Sequence, residues 1–228
     1  MRVGVDVGGT FTDLAVVAEG ELRFAKVPST PADQSLGVMS ALAAADVGAG
    51  DVAAFAHGTT VATNALLERR GGRTALLTTE GFRDVLEIAR QTRPSLYDLR
   101  RSPPAPLVPR DLRFTVRERT GPDGEIEPLD ERSLADAVEA IGRADVDAVA
   151  VCFLFSFLDA THERRAREVI HATLPQVRVS LSSEVLPEFR EYERFSTTTA
   201  DAYLSPPLNG YLARLRERLA GAGLRGRS

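Results

Sequence analysis

The chain has 228 residues, of which 43% are hydrophobic, so it is long enough for one or two domains with a real core and is not a disordered tail. A formal net charge of −4 gives no electrostatic reason to expect nucleic acid or an anionic membrane as a partner. A single cysteine excludes an internal disulfide and a multi-thiolate zinc site, and no apolar run is long enough to span a bilayer.

The opening segment predicts three antiparallel strands. Valines alternate with other residues over 3–7, a Gly-Gly-Thr turn follows, and 14–17 and 21–27 form two further strand-like runs. Connections this short join antiparallel strands, whereas parallel strands need a longer crossover. We therefore expect the chain to open with a small meander and not with a βαβ unit, which argues against a dinucleotide-binding fold.

Alternating helices and strands follow and complete a first α/β unit that ends near Arg90. Apolar residues recur three and four positions apart in the helical stretches, and Gly71-Gly72 ends one of them. The predicted elements are a helix ending at Ala45, a strand over 52–56, a helix over 59–70, a strand over 74–78 and a helix over 81–89.

A proline-rich connection leads to a second α/β region. Five prolines fall between residues 92 and 109, which forbids a continuous helix or a central strand there. Beyond it, Leu134, Ala137, Val138 and Ile141 have the spacing of a buried helix face. The predicted elements are a strand over 112–119, a turn over 121–124, that helix, a buried strand over 148–155, a helix from an N-cap at Asp159 to Thr173, and a strand over 177–181.

Two helices are predicted at the end of the chain. The first runs from about Glu191 to Tyr203, Pro206-Pro207 breaks it, and the second carries an apolar stripe that needs a partner. The stripe consists of Leu208, Tyr211, Leu212, Leu215 and Leu219. A basic tail, predicted to be solvated, consists of Arg214, Arg216, Arg218, Arg225 and Arg227. The chain thus divides into four segments, 1–90, 91–111, 112–190 and 191–228.

The first hairpin has the composition of a phosphate-binding loop. Adjacent glycines allow a tight turn and let backbone N–H groups approach an anion, while threonine hydroxyls add donors. Asp6, at the end of the first strand, could hold a hydrated Mg²⁺. A Gly-Gly hairpin with no ligand is the alternative. The candidate contacts are Asp6, Gly8, Gly9, Thr10, Thr12 and Asp13.

A second candidate segment follows the strand over 52–56. His57 and a glycine precede a helix start rich in hydroxyl groups, where free N–H groups and the helix dipole favour anions or developing negative charge. His57 could act as a general acid or base, and Thr59, Thr60 and Asn64 could contact the ligand. The alternative is that Thr59 or Thr60 only caps the helix.

A third candidate segment, 182–194, is dense in charges directly after a strand. Such a cluster can position a polar substrate, and Glu184, Arg190 and Glu191 are its candidate residues. The alternative is a solvated helix start, because exposed charge runs contribute little by themselves.

These three segments together resemble the N-terminal region of the hydantoinase A/5-oxoprolinase family, which also includes acetone and acetophenone carboxylase subunits. The resemblance covers nearly the whole chain and is carried by DVGGTFTD, HGTTVATNALLERRG, TEGFRDVLEIARQ and SSEVLPEFREYERFSTTTADAYLSPPL. DVGGT alone is also similar to sugar kinases of the same actin-like superfamily, but those lack the HGTT and REYER segments.

The resemblance implies an α/β lobe of the actin-like (ribonuclease H-like) fold, with an opening antiparallel meander and a mixed sheet flanked by helices. It implies that the first hairpin contacts the phosphates of ATP and, through Asp6, Mg²⁺. It also implies that 57–64 and 184–194 lie near the reacting centre. Family members couple ATP cleavage to the opening of a cyclic amide such as 5-oxoproline or a hydantoin, so the expected substrate is a small molecule of that kind.

Proteins similar to this one continue for several hundred residues, so we expect the second actin-like lobe to be missing. The first hypothesis is the N-terminal domain of an ATP-dependent cyclic-amide hydrolase that needs the missing part for turnover. The alternative is a non-catalytic binding or assembly module that docks onto a partner subunit through the apolar stripe. A sugar kinase is disfavoured because the chain is too short for both lobes. With no leader pattern at its start, the sequence predicts a cytoplasmic protein.

Overall fold

A computed structural model describes residues 1–98 and 100–224, and it divides the chain into two compact units. The first unit consists of Met1–Arg70 together with the segment that begins at Pro207, and the second is Gly71–Pro206. Arg225 and Arg227 of the predicted basic tail lie outside the described residues. Among the described residues, no helix has both the length and the apolar character needed to cross a membrane.

A four-stranded mixed sheet forms the first unit. The predicted meander is confirmed, because β1, β2 and β3 pair antiparallel in the order β3-β2-β1, and β4 adds to β1 in parallel. Glu19 and Gly20, with φ angles of 53° and 83°, form the tight turn between β2 and β3. The elements are β1 (Arg2–Val7), β2 (Phe11–Ala18), β3 (Glu21–Pro28), α1 (Gln34–Ala44), β4 (Ala54–Thr59) and α2 (Val61–Leu67), with a 3₁₀ turn at Ala49–Asp51.

One face of this sheet is buried beneath α1 and the C-terminal segment of the chain. Val3, Val5 and Val7 of β1 share a core with Tyr211 and Leu215. The predicted need of the apolar stripe for an external partner is therefore wrong, since its residues complete the core of the first unit. Relative exposures are 1% for Tyr211, 3% for Leu215 and 6% for Leu219, and Leu208 and Leu212 pack against the same core.

Part of the predicted solvated tail also has a structural role. The Asp33 side chain caps α1 by accepting a hydrogen bond from the backbone of Ser35, and Arg218 forms an ion pair with it at 2.9 Å. Arg214 lies 3.4 Å from the same carboxylate. Burial raises the pKa of Asp33, but the hydrogen bonds from Ser35 and the arginines outweigh it, so the pKa is lowered overall.

A four-stranded parallel sheet in the order β10-β9-β5-β6 forms the second unit. The predicted buried face of the helix over 131–143 is confirmed, and Asp130 caps that helix by accepting from the N–H groups of Arg132 and Ser133. The elements are β5 (Thr74–Thr79), α3 (Val85–Ile88), β6 (Arg113–Val116), β7 (Arg119–Gly121), β8 (Gly124–Glu127), α4 (Glu131–Arg143), β9 (Ala148–Cys152), α5 (Thr161–Thr173), β10 (Arg178–Leu181) and α6 (Ser182–Val185), with a 3₁₀ turn at Arg110–Leu112.

Several predicted elements are shorter in the structure than their patterns indicate. The helix predicted over 81–89 is reduced to α3, because Gly81 and Ala89 have φ angles of 88° and 49°, outside the helical range. The strand predicted over 112–119 is divided between β6 and β7, and the one predicted over 148–155 ends at Cys152. Asp159, the predicted N-cap of α5, lies one position before the observed cap, Ala160. Its side chain accepts a hydrogen bond from the N–H of Thr161, the first residue of that helix.

The predicted break at Pro206-Pro207 is wrong, because α7 (Glu191–Gly221) runs through both prolines. Proline has no N–H, so the carbonyl of Tyr203, four residues before Pro207, loses its partner within the helix. Gly72 replaces that donor, its N–H lying 2.8 Å from the Tyr203 oxygen. A Cβ on Gly72 would lie 2.6 Å from Cγ of Pro206, so only glycine allows this close approach.

Candidate phosphate-binding loop

The connection between β1 and β2 leaves two backbone donors free. Gly8 donates its N–H to the carbonyl of Phe11 at 3.0 Å, and Thr10 accepts from the N–H of Ser29 at 2.9 Å. Within the described residues, no backbone hydrogen bond uses the N–H groups of Gly9 and Thr10, and both residues are exposed. Consecutive free N–H groups at a tight turn form a concave site that favours anions.

Close packing explains the glycines of this loop. A Cβ on Gly8 would lie 3.1 Å from the carbonyl oxygen of Phe11, and one on Gly9 would lie 3.3 Å from Nδ2 of Asn64. Asn64 is held by its hydrogen bond to the Thr60 hydroxyl at 3.3 Å. A side chain at position 9 would therefore press the loop away from α2.

Four residues form a row across the outer face of the first sheet, at the carboxyl ends of β1 and β4. The strand registers pair Asp6 with Gly58 on one side and Asp13 on the other, and pair Asp13 with Lys26. Lys26 lies 2.8 Å from Asp13, so these two charges neutralise each other. No hydrogen bond or ion pair in the part of the chain that the structure describes involves the Asp6 side chain, which is exposed. This carboxylate is therefore available to a ligand.

Position 58 keeps the space beside Asp6 open. A Cβ on Gly58 would lie 3.1 Å from Oδ1 of Asp6 and would crowd that carboxylate. Small residues of neighbouring strands, Gly4, Ala15 and Ala56, continue the same surface as the floor of an open groove of about 870 Å³. The groove provides room for a sizeable ligand next to Asp6.

Thr12 has a different position from the one expected of a phosphate contact. Its side chain is fully buried, and its hydroxyl lies 3.0 Å from the hydroxyl of Ser29. Ser29 in turn donates to the carbonyl of Gly8 at 2.8 Å. A Cβ on Gly37 of α1 would lie 2.7 Å from the Thr12 hydroxyl, so α1 covers it closely. Thr12 therefore supports the loop from beneath.

His57 lies on the buried side of the first sheet. It pairs with Val5 in the strand register, whereas Asp6 pairs with Gly58, and neighbouring residues of a strand point to opposite faces. Its Nε2 lies 2.6 Å from the hydroxyl of Tyr211 and its Nδ1 lies 3.4 Å from the carbonyl of Val5. These partners assign a neutral ring protonated at Nδ1.

The electrostatics of this pair agree with the neutral form. Burial lowers the pKa of His57, and this effect outweighs the opposing hydrogen bond to Val5 and the charge of Asp6. Burial also raises the pKa of Tyr211 to about 12. The hydroxyl of Tyr211 thus donates to His57, and the contact joins the C-terminal segment to β4.

The start of α2 joins the ends of β1 and β4. Thr60 donates both its N–H and its hydroxyl to the carbonyl of Val7, at 3.1 and 3.3 Å. Thr59 caps the helix by accepting from the N–H of Val61 at 3.2 Å, whereas Thr60, at the cap position, makes no side-chain cap. The polar groups of these threonines therefore fix the strand ends that carry the loop.

The residues of the third predicted segment belong to the second unit. Glu184 forms an ion pair with Arg167 at 2.8 Å, and Arg190, with a φ angle of 77°, lies over the ring of Phe189. Glu191 is the first residue of α7, which confirms the predicted helix start. Roles in catalysis for Glu184, Arg190 and Glu191 stay predictions.

Sequence reasoning missed the buried charges of the second unit. Glu163 is fully buried and accepts from the N–H groups of Phe153 and Ser183, both at 2.9 Å, and from the hydroxyl of Ser182 at 2.6 Å. Arg194 is also fully buried and donates to the carbonyl of Phe153 at 3.0 Å. No local signal marks either residue, because both lie in charge-rich stretches that are typical of exposed helices.

A metal at the loop would have to use few protein ligands. In residues 1–98 and 100–224, no group of three or more His, Cys, Asp or Glu side chains could hold a metal ion. Mg²⁺ commonly binds through one or two carboxylates, with water and phosphate oxygens as its other ligands. The single free carboxylate of Asp6 fits that mode of binding.

Comparison with known proteins identifies relatives that match nearly the whole chain. Residues 2–174 match the family model described as the hydantoinase/oxoprolinase N-terminal region. The chain is 39% identical to the caprolactamase subunit alpha of Pseudomonas jessenii over 94% of its length and 32% of that protein. It is 34% identical to the acetophenone carboxylase gamma subunit of Aromatoleum aromaticum, over 98% of this chain and 34% of that one.

A solved structure gives the same result. The crystal structure of the ATP-dependent caprolactamase from Pseudomonas jessenii superposes with a TM-score of 0.91 and 38% identity, covering 100% of this chain and 35% of that one. The α/β fold with a mixed sheet is thus shared with that enzyme. The chain spans about a third of the length of the relatives that it matches.

Proposed function

The chain belongs to the hydantoinase/oxoprolinase family, whose N-terminal region it matches, and we propose that it supplies the phosphate-binding loop of an ATP-dependent enzyme that opens cyclic amides. We also propose that the first unit is part of an actin-like lobe. The opening meander with a fourth strand parallel to β1 supports this assignment. One relative is described as an ATP-dependent caprolactamase, and that name denotes an enzyme acting on a lactam, which is a cyclic amide.

The observation that carries the proposal is the free hydrogen-bonding capacity at the end of β1. Asp6 has an exposed carboxylate, and Gly9 and Thr10 follow it by three and four residues. Neither that carboxylate nor the N–H groups of Gly9 and Thr10 have a hydrogen-bond partner among the described residues. A carboxylate beside anion-binding N–H groups would repel a phosphate by itself. A cation between them removes the repulsion, so the combination suits a phosphate that binds together with Mg²⁺.

The residues present fit MgATP. Asp6 would hold the ion, directly or through its water shell, and Gly9 and Thr10 would bind phosphate oxygens through their N–H groups and the Thr10 hydroxyl. When bound, MgATP supplies the phosphoryl group and the free energy for opening the ring. The protein residues orient the phosphates and neutralise their charge, and this is the main protein contribution in phosphoryl transfer.

Other residues of the first unit hold the loop in place. Thr12 and Ser29 fix the carbonyl of Gly8 from below, and Asn64 limits the movement of Gly9. His57 supports β4 through Tyr211, so in this proposal it positions the strand ends. A direct role of His57 in proton transfer stays a prediction.

We propose further that the chain works within a larger assembly. The relatives from Pseudomonas jessenii and Aromatoleum aromaticum are named as subunits, and the chain spans about a third of each. The remaining two thirds would supply the rest of the nucleotide site. The alternative of a non-catalytic module that docks through the apolar stripe has lost its support, because the stripe is buried in the first unit.

Calorimetric titration of the 228-residue chain with ATP tests the loop. We expect Asp6→Asn to weaken MgATP binding at least about tenfold, since the neutral amide no longer attracts the cation. Chelation of Mg²⁺ should weaken binding to the wild-type chain by a similar factor and should have little further effect on Asp6→Asn. Non-additivity of this kind shows that the residue and the ion act together.

Asp46→Asn provides the matched control. Asp46 is exposed, follows α1 and has a φ angle of 52°, which asparagine adopts as readily as aspartate. This variant should bind MgATP like the wild type. Equal loss of affinity in Asp46→Asn and Asp6→Asn would point to net charge rather than to a site, and unchanged Mg²⁺ dependence in Asp6→Asn would contradict the assigned role.

A further inference from the structure

The hairpin formed by β7 and β8 lies outside both four-stranded sheets and is buried on one strand only. Thr120 and Gly121 of β7 are buried, whereas every residue of β8 is exposed. Within the part of the chain that the structure describes, a single side-chain hydrogen bond joins residues 122–128 to the rest of the second unit. It connects Oε2 of Glu125 with Nε2 of His162 on α5, 2.9 Å apart. The attachment of β8 therefore depends on His162.

The ring of His162 lies between two carboxylates. Its Nδ1 is 2.8 Å from Oε2 of Glu118, on the side opposite to Glu125. A neutral imidazole has one N–H, so it donates to one carboxylate and turns a lone pair toward the other. The imidazolium ion donates to both. The geometry thus needs a proton on each ring nitrogen as long as both carboxyl groups are ionised.

The two carboxylates differ in how well they tolerate the loss of this donor. The side chain of Glu118 has no exposed surface, and its second oxygen accepts from the hydroxyl of Thr79, the last residue of β5. The side chain of Glu125 is 52% exposed. Water can hydrate an exposed carboxylate but not a buried one. When the ring loses one proton, the other therefore stays on Nδ1 with Glu118, and Glu125 is released.

Three acidic groups interact with the ring and favour its charged form. Burial lowers the pKa of His162, but the hydrogen bonds to Glu118 and Glu125 and the charges of both outweigh burial and raise the pKa overall. Hydrogen bonds from Thr161 lower the pKa of Asp159, which precedes α5, and the charge of His162 adds to this effect. The contact with Glu125 is therefore complete below the ordinary pKa of histidine and is lost as the pH rises through the raised one.

We propose that β8 is a proton-controlled lid over the carboxyl ends of β5 and β9. An isolated two-stranded hairpin is marginally stable in water, so β8 frays once Glu125 is released. Beneath it, Glu118 binds Thr79, whose hydroxyl also accepts from the N–H of Leu154, two residues beyond β9. Ligands of parallel sheets commonly bind at this edge, where the strand order reverses. Release of β8 gives water and small molecules access to it. The proposal goes beyond the function of the loop, because it concerns the second unit and requires no nucleotide.

NMR on the ¹⁵N-labelled 228-residue chain between pH 5.5 and 8.5 tests the proposal. The backbone order parameters of residues 124–127 should fall from about 0.85 to below about 0.6 as the pH rises. The midpoint of this change should equal that of the His162 ring, whose signal is identified by its absence in His162→Gln. The order parameters of β5 should stay constant, because its place in the sheet does not depend on the lid.

A neutral gadolinium chelate distinguishes opening of the lid from a change of charge alone. The chelate speeds the relaxation of protons that it can approach through solvent. Its effect on the ring proton of His162 should increase with pH, at the same midpoint. The ring of His171, on the exposed face of the same helix, should be affected equally at every pH.

Matched glutamate variants on β8 locate the control. Glu125→Gln places an amide beside the ring, which accepts from the imidazolium and donates to the neutral imidazole, so β8 should stay ordered at every pH. Glu127→Gln removes the same charge from an exposed position of the same strand and should keep the pH dependence of the wild type. Both positions are exposed, so neither variant disturbs the core.

Two results would overturn the proposal. The first is a set of order parameters in β8 that stays constant over the whole pH range. The second is a loss of order with rising pH in Glu125→Gln that equals the loss in the wild type. The latter result would assign the pH dependence of β8 to a group other than the contact of Glu125 with His162.

Discussion

The two sheets of this chain differ in how the polar groups at the carboxyl ends of their strands are paired. In the first unit, β1 ends in a loop where two N–H groups and the nearby carboxylate of Asp6 have no partner among residues 1–98 and 100–224. In the second, β9 and β10 end in groups that are tied to Glu163 and Arg194 by hydrogen bonds of 2.6 to 3.2 Å. Hydrogen-bonding groups thus stay unpaired at the strand ends of the first sheet, whereas those at the strand ends of the second are paired with other residues of the chain.

The difference shows that topology alone does not identify a site. Ligands of parallel α/β sheets commonly bind where the strand order reverses, which here is between β5 and β9. At that point the hydroxyl of Thr79 donates to Glu118 and accepts from the N–H of Leu154. Both partners are buried, so the position favoured by topology is already filled by polar groups of the chain. Unused hydrogen-bonding capacity is the better indicator.

The largest expected effect comes from removing the Glu163 side chain, which accepts hydrogen bonds at the strand ends of the second sheet. Glu163→Ala would leave the N–H groups of Phe153 and Ser183 without their acceptor and would remove the carboxylate that faces the buried charge of Arg194. We expect it to lower the free energy of unfolding by about 3–5 kcal/mol. Urea denaturation measures the change. Glu168→Ala on the same helix is the control, since its exposed pair with Arg165 should contribute less than about 1 kcal/mol. Equal effects of the two variants would show that the strand ends do not depend on Glu163.

A second variant contrasts close packing in one unit with open space in the other. A Cβ on Gly71 would overlap the ring of Tyr203, which is nearly buried and cannot move aside freely. Gly71→Ala should therefore lower the unfolding free energy by about 1–3 kcal/mol. Gly4→Ala, on the outer face of the first sheet, meets no heavy atom within 4 Å and should change stability by less than about 0.5 kcal/mol. The contrast fails if both substitutions destabilise the chain equally.

A third prediction concerns the pH dependence of the second unit. His162 is nearly buried, with Nδ1 2.8 Å from Glu118 and Nε2 2.9 Å from Glu125. Burial lowers its pKa, but the hydrogen bonds to the two carboxylates and their negative charges outweigh burial, and the pKa is raised overall. The folded state therefore holds the proton more tightly, so this stabilisation is present at pH values below the ordinary pKa and is lost as the pH rises through the raised one.

Chemical denaturation of the wild type and His162→Gln across pH 5 to 9 measures this effect, with His171→Gln as the exposed control on the same helix. His162→Gln should be destabilised by about 1–3 kcal/mol at the acidic end, and the gap from the wild type should narrow as the pH rises. His171→Gln should follow the wild type throughout. A constant gap for His162→Gln would indicate a neutral imidazole between the two carboxyl groups.

Local patterns were sufficient for most of the fold. The alternation of apolar residues predicted the meander, and the spacing from Leu134 to Ile141 predicted the buried face of α4, because these periods arise directly from strand and helix geometry. The same reasoning failed at Pro206-Pro207, where a distant donor, the N–H of Gly72, satisfies the carbonyl that proline leaves free. Contacts between residues far apart in sequence are invisible to a local pattern.

The candidate site could be predicted only in part. The glycines and Asp6 were recognisable by residue type, since tight turns and metal ligands restrict the choice. The sequence does not show which threonine supports the loop and which one faces solvent, because this depends on burial. Thr12 is buried and Thr10 is exposed, although both are threonines of the same short segment. The side of the sheet on which His57 lies depended on its register with Val5, which becomes known only when β4 is paired with β1.

The smallest expected effect separates stability from binding in the first unit. Tyr211→Phe removes the hydroxyl that donates to His57 at 2.6 Å and should lower the unfolding free energy by about 1 kcal/mol. Tyr97→Phe is the control, because Tyr97 is 98% exposed and should leave stability unchanged. MgATP affinity should be the same in both variants, since the contact of Tyr211 with His57 lies on the face of the sheet opposite to Asp6. A loss of MgATP binding in Tyr211→Phe alone would mean that His57 acts at the ligand and not only as a support for the strand ends. Residues on both faces of this sheet would then belong to one binding site.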